Sequence, residues 1–337
     1  MKTTTGFSPT EGQSELGAAK SCQICHNEAG NRIHKAREMM LGLRDEFRYL
    51  ECQDCGCLQL LNPPKDTARY YPPDYGDFRT NQSLGPVIFQ NVRRHLRERR
   101  NKGVLKGQSW LDRLLTSRYD YLQLKAFARI AAGSKARILD VGCGTGILLN
   151  DLKKMGYDNL LGVDRFVPQP MDTESGVRVL KGGLEDLIGT AWDVIMFHHS
   201  FEHMPDPAGV LQFAAGLLVP GGHCLIRIPV IGWAWQHYGV NWAQVDAPRH
   251  LFLHTEKSLD MLSDAAGLDM QCVGYDSNEF QFWVSELFMR DMTLVSVGMR
   301  PPRTLFSKAT LREFRSRAVK LNLEQRGDSA VFILVKS

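Results

Sequence analysis

Between residues 137 and 229 the chain alternates short apolar runs with amphipathic stretches. The runs "RILDV" and "NLLGVD" lie on either side of "ILLNDLKKM", whose apolar residues recur at helical spacing. Further runs are "GVRVLKGGLEDL", which includes a turn, "WDVIMFHHS" and "HCLIRIPV". The segment between the last two has a helix N-cap at Asp206, Pro207 after it, and a Pro-Gly-Gly stop. Apolar strands separated by helices are typical of a parallel sheet covered by helices. The pattern therefore predicts an α/β fold.

Three glycines follow the first predicted strand. Gly142, Gly144 and Gly146 form a turn without side-chain walls between this strand and the next helix. A strand, a glycine turn and a helix N-terminus form a ligand cradle at the carboxyl edge of a parallel sheet. Asp164 ends the second strand, where a carboxylate can accept hydrogen bonds from the ribose hydroxyls of an adenosine. The dinucleotide fingerprint GxGxxG would need a glycine where Ile147 stands, so this turn predicts a different nucleoside ligand.

The stretch "LDVGCGTG", with these elements following in this order, resembles the class I methyltransferases that use S-adenosylmethionine. The resemblance covers residues 118–276 and a returning strand at 328–336. It implies a Rossmann-like, seven-stranded, mostly parallel sheet that "GLDMQCVGYD" and "DSAVFILVK" close as an antiparallel pair. The residues that it implies for cofactor binding are Asp140, Gly142, Gly144, Gly146, Asp164, Leu184 and Glu185, of which the last two belong to the family's adenine-binding segment.

Four of the eight cysteines form two CxxC knuckles, which are Cys22 with Cys25 and Cys52 with Cys55. Two such knuckles joined by a strand-like segment have the spacing of a four-thiolate zinc site. Cys57, His26 and His34 lie nearby, so the identity of the fourth ligand stays open. Because so small a segment has little core, the metal should stabilise it. Four thiolates leave no open coordination position, so we expect structural Zn²⁺ in a zinc ribbon.

These features predict a division of the chain into four parts. We expect a disordered lead-in over 1–19, a zinc ribbon over 20–63, a connector with a basic helix over 64–117, and a methyltransferase domain over 118–337 with insertions at 230–256 and 277–326. The first insertion carries the aromatic and polar residues Trp233, Trp235, Tyr238, Trp242, Asp246, Arg249, His250 and His254. It is interpreted as a substrate-binding segment, with a surface loop whose tryptophans pack on the domain as the alternative. The second insertion fits either a lid or a dimer contact.

The segment "HHSFEHMPDP" begins at residue 198 and contains HxxEH, a zinc-protease pattern formed by His199, Glu202 and His203. That pattern needs a helix, whereas Pro205 disfavours helical backbone before it. The segment is therefore predicted to be the loop after the fourth strand. The methyltransferase resemblance implies that His198 and His199 face the transferred methyl group, with Glu202 and His203 orienting the loop.

Three histidines, His199, His198 and His250, are the candidate catalytic residues. His199 is the first candidate for a general base, because imidazole titrates near neutral pH. A positioning hydrogen bond without proton transfer is an equally open role for His199. His250 is a further candidate if a carbon acceptor has to be deprotonated.

The composition narrows the classes of partner. A formal net charge of +4 is too small to argue for nucleic acid. The basic run with Arg93, Arg94, Arg97, Arg99 and Arg100 fits a phosphate contact, although a solvated helix face is the favoured interpretation. No apolar run reaches the roughly 18 residues of a membrane span. The N-terminus lacks a secretory apolar core, which predicts a cytoplasmic protein without membrane contact.

The predicted function is S-adenosylmethionine-dependent methylation of a small molecule. The knuckles combined with this domain resemble bacterial methyltransferases of sugar and polysaccharide biosynthesis, which implies a sugar or glycan precursor, including a nucleotide-linked sugar, and O- or C-methylation. The alternatives are an RNA or protein methyltransferase that holds its polymer with the ribbon, and a non-catalytic cofactor-binding scaffold. Homo-oligomerisation stays open.

Overall fold

The computed structural model describes residues 21–71, 126–127, 130 and 133–337. The predicted lead-in and the basic run of five arginines lie outside the described residues, as does most of the predicted connector. Among the helices of the described part, none combines the length and the apolar character that crossing a membrane requires.

The centre of the fold is a mixed, mostly parallel sheet. Its strands are β4 (Arg137–Val141), β5 (Asn159–Asp164), β6 (Met171–Asp172), β7 (Arg178–Lys181), β8 (Trp192–His198), β9 (Leu218–Pro229), β11 (Leu268–Tyr275) and β12 (Ser329–Lys336), in the order β11-β12-β9-β8-β4-β5-β7-β6. The neighbouring strands β9, β8, β4, β5 and β7 run parallel to one another. Strand β12 pairs antiparallel with both β9 and β11. The Rossmann-like methyltransferase fold is confirmed. The eighth strand, which the sequence does not predict, is the two-residue edge strand β6, antiparallel to β7.

Helices cover this sheet and extend beyond it. They are α1 (Ile147–Met155), α2 (Pro207–Leu217), α3 (Trp233–Tyr238), α4 (Glu256–Ala265), α5 (Phe280–Met289), α6 (Leu294–Val297) and α7 (Lys308–Leu323). The Asp206 carboxylate accepts the Gly209 N–H at 2.9 Å, which confirms the predicted start of α2. The helix ends before the predicted Pro-Gly-Gly stop, because Leu218 is already extended and pairs with Trp192 of β8.

A second, four-stranded sheet joins the N-terminal module (residues 21–71) to the first insertion. The module supplies β1 (Arg32–Arg37), β2 (Glu46–Glu51) and β3 (Leu58–Leu60), and the insertion supplies β10 (Phe252–Leu253), which pairs with β3. Trp242 is 0% exposed, and its indole N–H donates to Asp328 just before β12. Trp242 of the first insertion thus packs on the domain, as the alternative interpretation of this segment predicts.

The second insertion packs inside the same chain. Helix α5 buries most of its side chains, and the backbone N–H groups of Leu294 and Val295 donate to the carbonyls of Met39 and Met40 at 2.9 Å. Asp291 also forms ion pairs with Arg37 and Arg44. The N-terminal module and the two insertions thus form one packed layer beside the central sheet.

Candidate active site

The glycine turn (residues 142–146) connects β4 to α1 and has left-handed backbone at all three glycines, with φ of 73°, 54° and 77°. A Cβ on Gly142 would collide with the Ser200 side chain, and one on Gly146 would collide with Thr173. A Cβ on Gly144 would meet nothing within 4 Å. Packing therefore requires glycine at 142 and 146, while the turn stays open at 144 for a ligand to approach.

Two carboxylates lie at the ends of the strands beside this turn. Asp164 accepts the backbone N–H of Gly144 at 2.8 Å and that of Phe166 at 2.7 Å. Asp140 is buried, and its Oδ1 has no hydrogen-bond partner among the described residues. Burial, together with the charge of Asp164, raises the pKa of Asp140 to about 7. A buried acceptor without a partner fits a ligand that brings a donor or a positive charge.

The residues predicted at the adenine differ in accessibility. Leu184 is buried, whereas Glu185 is exposed, pairs with Arg165 at 2.5 Å and folds back against Gly183. Phe166 and Tyr71 form an aromatic pair that the sequence did not reveal. Phe166 is 73% exposed and stacks on Tyr71 with 5.4 Å between the ring centroids. The available signal was a large apolar residue two positions after the strand-ending Asp164. Such a face suits a flat ring.

The histidine loop (residues 198–207) adjoins the glycine turn. The Ser200 hydroxyl donates to the Val141 carbonyl at 2.6 Å, and the Ser200 side chain fills the space over Gly142. A three-residue 3₁₀ turn, Phe201–His203, is followed by extended backbone at Met204. The loop is therefore not the α-helix of a zinc protease, as Pro205 predicts.

His199 and His198 have different surroundings, although their ring centroids are 5.1 Å apart. The Arg227 guanidinium donates to His199 Nε2, and His199 Nδ1 lies 3.5 Å from Glu202 Oε1. Because an arginine only donates, Nε2 accepts and the imidazole proton lies on Nδ1, facing Glu202. His198 does not line the cavity described below, and burial together with the Arg227 charge lowers its pKa to about 4. Of the two histidines, only His199 lines this cavity.

A cavity of about 240 Å³ lies beside the histidine loop. Its polar lining residues include His199, Arg227, Gln244, His250, Asp276 and Gln281, and its apolar lining residues are Met40, Phe280, Leu294 and Met299. Arg227 is held by Asp276 at 2.6 Å, and the buried Gln281 Oε1 has no hydrogen-bond partner within the described part of the chain. Most of these residues carried no sequence signal, because they come from segments far apart in the chain.

Comparison with known proteins supports the fold. Residues 110–273 match the family model described as a methyltransferase domain. This segment, just under half of the chain, has the fold of a class I methyltransferase domain. It is 33% identical over 120 residues to a ubiquinone biosynthesis O-methyltransferase of Actinobacillus pleuropneumoniae, covering 31% of this chain and 49% of that protein, and 36% identical over 104 residues to one of Xylella fastidiosa, covering 28% and 42%. The chain thus matches about half or less of the length of these relatives.

Solved structures similar to the methyltransferase domain include an S-adenosylmethionine-dependent methyltransferase from Archaeoglobus fulgidus, at TM-score 0.41 and 20% identity, covering 64% of this chain and 91% of that one. A plantazolicin methyltransferase in complex with S-adenosylhomocysteine aligns at TM-score 0.40 and 15% identity, covering 80% and 93%.

Arg249, predicted to face a substrate, is fully buried between the first insertion and the N-terminal module. Its guanidinium donates to Asp246, to Glu38 at 3.1 Å and to the Tyr70 carbonyl at 3.1 Å. Glu38 in turn accepts three backbone N–H groups of the loop at 40–43. Arg249 does not face a substrate, because a buried guanidinium needs carboxylate partners and one of them, Glu38, belongs to the N-terminal module. Arg249 therefore holds the module against the insertion.

The four predicted metal-binding cysteines lie together. Their sulfurs are within 4.8 Å of one another, with Cys22 and Cys55 at 3.6 Å and Cys25 and Cys52 at 3.4 Å. Sulfurs of a tetrahedral Zn–S₄ site lie about 3.8 Å apart, given a Zn–S bond of about 2.3 Å. His34 instead pairs with Glu51 at 2.9 Å. A hydrogen bond from Cys55 lowers the pKa of Cys22 to about 5, which favours a thiolate there. The donor set fits a zinc ion.

Proposed function

We propose that this protein transfers the methyl group of S-adenosylmethionine to a small-molecule acceptor bound in the cavity. The observation that carries the proposal is the direct connection between the glycine turn and the histidine loop, made by Ser200 over Gly142 and by its hydrogen bond to Val141. A ligand on the turn and a ligand in the cavity would then meet at one edge of the sheet. The cofactor, when bound, supplies an already activated methyl group.

The chain's own residues would bind and orient the cofactor. Asp164 offers its remaining lone pairs to the ribose hydroxyls, while the buried Oδ1 of Asp140 accepts from a donor of the ligand. The open backbone at Gly144 leaves room for close approach. The exposed face formed by Phe166 and Tyr71 would stack on the adenine, a role that the resemblance assigned to the segment at Leu184 and Glu185.

The mixed lining of the cavity supports an acceptor that carries both polar and apolar groups. The curated relatives are named as O-methyltransferases of ubiquinone biosynthesis, which favours O-methylation of a small molecule. A cavity of about 240 Å³ is small for a nucleotide-linked sugar and unsuited to a folded polymer, so RNA or protein is the weaker alternative. A sugar or glycan precursor fits only if its apolar face lies against Phe280 and Met299.

His199 is suited to take the acceptor proton once Arg227 releases its Nε2. Glu202, 3.5 Å from Nδ1, would then stabilise the imidazolium. While Arg227 occupies Nε2, His199 only positions the loop, so the acceptor must displace the guanidinium for proton transfer. His250 lies at the cavity wall as a second candidate base, and His198 is the weakest, because its low pKa keeps it neutral and it lies away from the cavity.

A structural zinc ion on Cys22, Cys25, Cys52 and Cys55 completes the proposal. The second knuckle is docked on the start of α4, where the Thr255 hydroxyl donates to the Cys55 carbonyl at 2.6 Å. The zinc ion would thus stabilise the first insertion, and with it one wall of the cavity.

Calorimetry with S-adenosylmethionine tests the cofactor claim. We expect saturable binding to the full-length protein that Asp164→Ala weakens at least tenfold, while Asp172→Ala, on an exposed carboxylate of the neighbouring β6, leaves it unchanged. No binding at millimolar cofactor would overturn the proposal. Release of S-adenosylhomocysteine with phenolic, carbohydrate and oligonucleotide acceptors, compared in parallel, would then identify the acceptor class.

A further inference from the structure

Gln281 of α5 brings a buried hydrogen-bond acceptor to the cavity. The residue is 1% exposed and belongs to the cavity lining. Its Nε2 donates to the Asn278 carbonyl at 3.3 Å, and because a carbonyl only accepts, this contact fixes which end of the amide is the oxygen. The Oε1 atom has no donor within the described part of the chain. Since a buried acceptor without a donor costs free energy, we expect a ligand in the cavity to supply one.

Asp328, just before β12, adds a buried carboxylate to the same lining. It is 2% exposed, and its Oδ2 accepts the indole N–H of Trp242 at 3.0 Å. Burial, together with the charge of Asp276, raises the pKa of Asp328 to about 6, against the opposing hydrogen bonds from Trp242 and Ser277. Both hydrogen-bonding side chains are neutral, so the described residues give Asp328 no cationic partner.

The guanidinium of the lining is already bound elsewhere. Arg227 Nε donates to Asp276 Oδ2 at 2.6 Å, and the same guanidinium donates to His199. The two histidines of the lining also point at other carboxylates, since His199 faces Glu202 and His250 faces Glu202 and Asp246. A positive charge for Asp328 therefore has to come from a ligand.

The unpaired oxygen and the carboxylate belong to one part of the lining. The Ser277 hydroxyl oxygen accepts the backbone N–H of Asp328 at 2.5 Å, and the carbonyl of the next residue, Asn278, accepts Nε2 of Gln281. Two consecutive residues thus hold both groups. A single small group of a ligand that lies against this segment has both acceptors close to it.

We propose that the cavity recognises its ligand through a protonated amino group, which Gln281 Oε1 and the Asp328 carboxylate bind. An ammonium group has three donors and a positive charge, so it can satisfy the amide oxygen and the carboxylate together. A neutral hydroxyl has one donor and would leave the buried charge uncompensated. The substrate class is then a small amine that also carries a hydroxyl. Its role as methyl acceptor rests on the proposed function, whereas its binding in the cavity does not.

Calorimetry with three matched phenols tests the amine site. Tyramine, tyrosol and 4-hydroxyphenylacetate share the phenol ring and end in an ammonium, a hydroxyl and a carboxylate. Each is titrated at pH 8 into the full-length, zinc-loaded protein without S-adenosylmethionine. Tyramine is protonated at this pH, because alkyl amines titrate near pH ~10. We expect saturable binding of tyramine, at least tenfold tighter than that of tyrosol, and the weakest binding for the carboxylate.

Two variants separate the contributions of the charge and the amide oxygen. Asp328→Asn removes the charge but keeps an oxygen for the indole of Trp242, so tyramine should bind at least tenfold more weakly and within about threefold of tyrosol. Gln281→Met removes the amide oxygen and should weaken tyramine at least fivefold. The controls Asp260→Asn and Gln236→Met, exposed on α4 and α3 and outside the lining, should bind tyramine like the unmodified protein.

The preference among the three phenols is a readout that a purely structural role of Asp328 would not move. Equal affinity for tyramine and tyrosol in the unmodified protein would overturn the proposal, as would no binding of tyramine at millimolar concentration or an unchanged preference in Asp328→Asn. If the variants fail to fold, the comparison on the unmodified protein decides. Methyl transfer is measured separately, so a protein that prefers tyramine but releases no S-adenosylhomocysteine keeps the amine site and loses only the proposed function.

Discussion

The glycine turn and the cavity lie at the same edge of the central sheet but are built in different ways. The turn and its two carboxylates come from one continuous stretch, residues 140–164, and depend on local backbone conformation. The cavity takes its walls from the N-terminal module, β9, both insertions and the segment before β12. Its shape therefore depends on long-range packing and on a few buried ionic and cysteine groups. Damage to the N-terminal module should alter the cavity and spare the turn.

Removal of the proposed zinc ion gives the largest expected effect. In the double variant Cys22→Ser with Cys52→Ser, the N-terminal module should lose its fold, because zinc binding contributes on the order of 10 kcal/mol in small zinc-dependent modules. Limited proteolysis should then cut within residues 21–71, while calorimetry should show cofactor affinity weakened by no more than about tenfold, or ~1.4 kcal/mol, because only the Tyr71 ring is lost from the cofactor side. Cys272→Ser, outside the cluster, is the control. A parallel collapse of cofactor affinity would show that the two regions are not independent.

Arg249→Met should give the next largest effect. The change leaves Glu38 and Asp246 buried without the guanidinium that joins them, at a cost of about 3–5 kcal/mol. Urea unfolding measures the loss. In the control Arg315→Met, an exposed arginine loses its pair with Glu279, which should cost less than about 1 kcal/mol. An equal loss of unfolding free energy in the two variants would mean that the region around the cavity does not depend on its buried charges.

Sequence was sufficient for features with short, fixed spacing. The glycine turn with its two strands, the Asp206 cap of α2 and the two cysteine knuckles each lie within a few residues whose geometry is set locally. The structure contains each of these elements at the predicted positions. Such signals need no knowledge of distant partners.

Sequence was insufficient where a distant partner decides the role of a residue. Arg249 and Trp242 suggest a ligand-binding segment, but Arg249 pairs with Glu38, 211 positions away, and Trp242 donates to Asp328. The stacking of Phe166 on Tyr71 likewise depends on a segment before the methyltransferase domain. A polar or aromatic residue looks the same in sequence whether it meets a ligand or a buried partner.

Gly142→Ala tests the turn itself. Its φ of 73° strains any side chain, and the added Cβ would collide with Ser200, so we expect a loss of about 2–3 kcal/mol and at least tenfold weaker cofactor binding. Gly176→Ala is a close control, since its φ is 74° but nothing lies within 4 Å of the added Cβ. It should cost about 1 kcal/mol and leave cofactor binding intact. Thermal unfolding measures the stability of the two variants and calorimetry measures their cofactor affinity. Equal losses in the two variants would contradict the packing argument.

The smallest effect concerns the pH dependence of the turn. Since burial and Asp164 raise the pKa of Asp140 to about 7, Asp140 is protonated below that pH and ionised above it. A cationic cofactor prefers the ionised form, so affinity should tighten as pH rises from 6 to 8, by up to about tenfold or ~1.4 kcal/mol. Asp140→Asn should flatten this dependence in calorimetry, and Asp172→Asn should keep it. A pH dependence that persists in Asp140→Asn would assign the titration to another group. A pH dependence that vanishes after loss of the N-terminal module would mean that the glycine turn relies on long-range packing, as the cavity does.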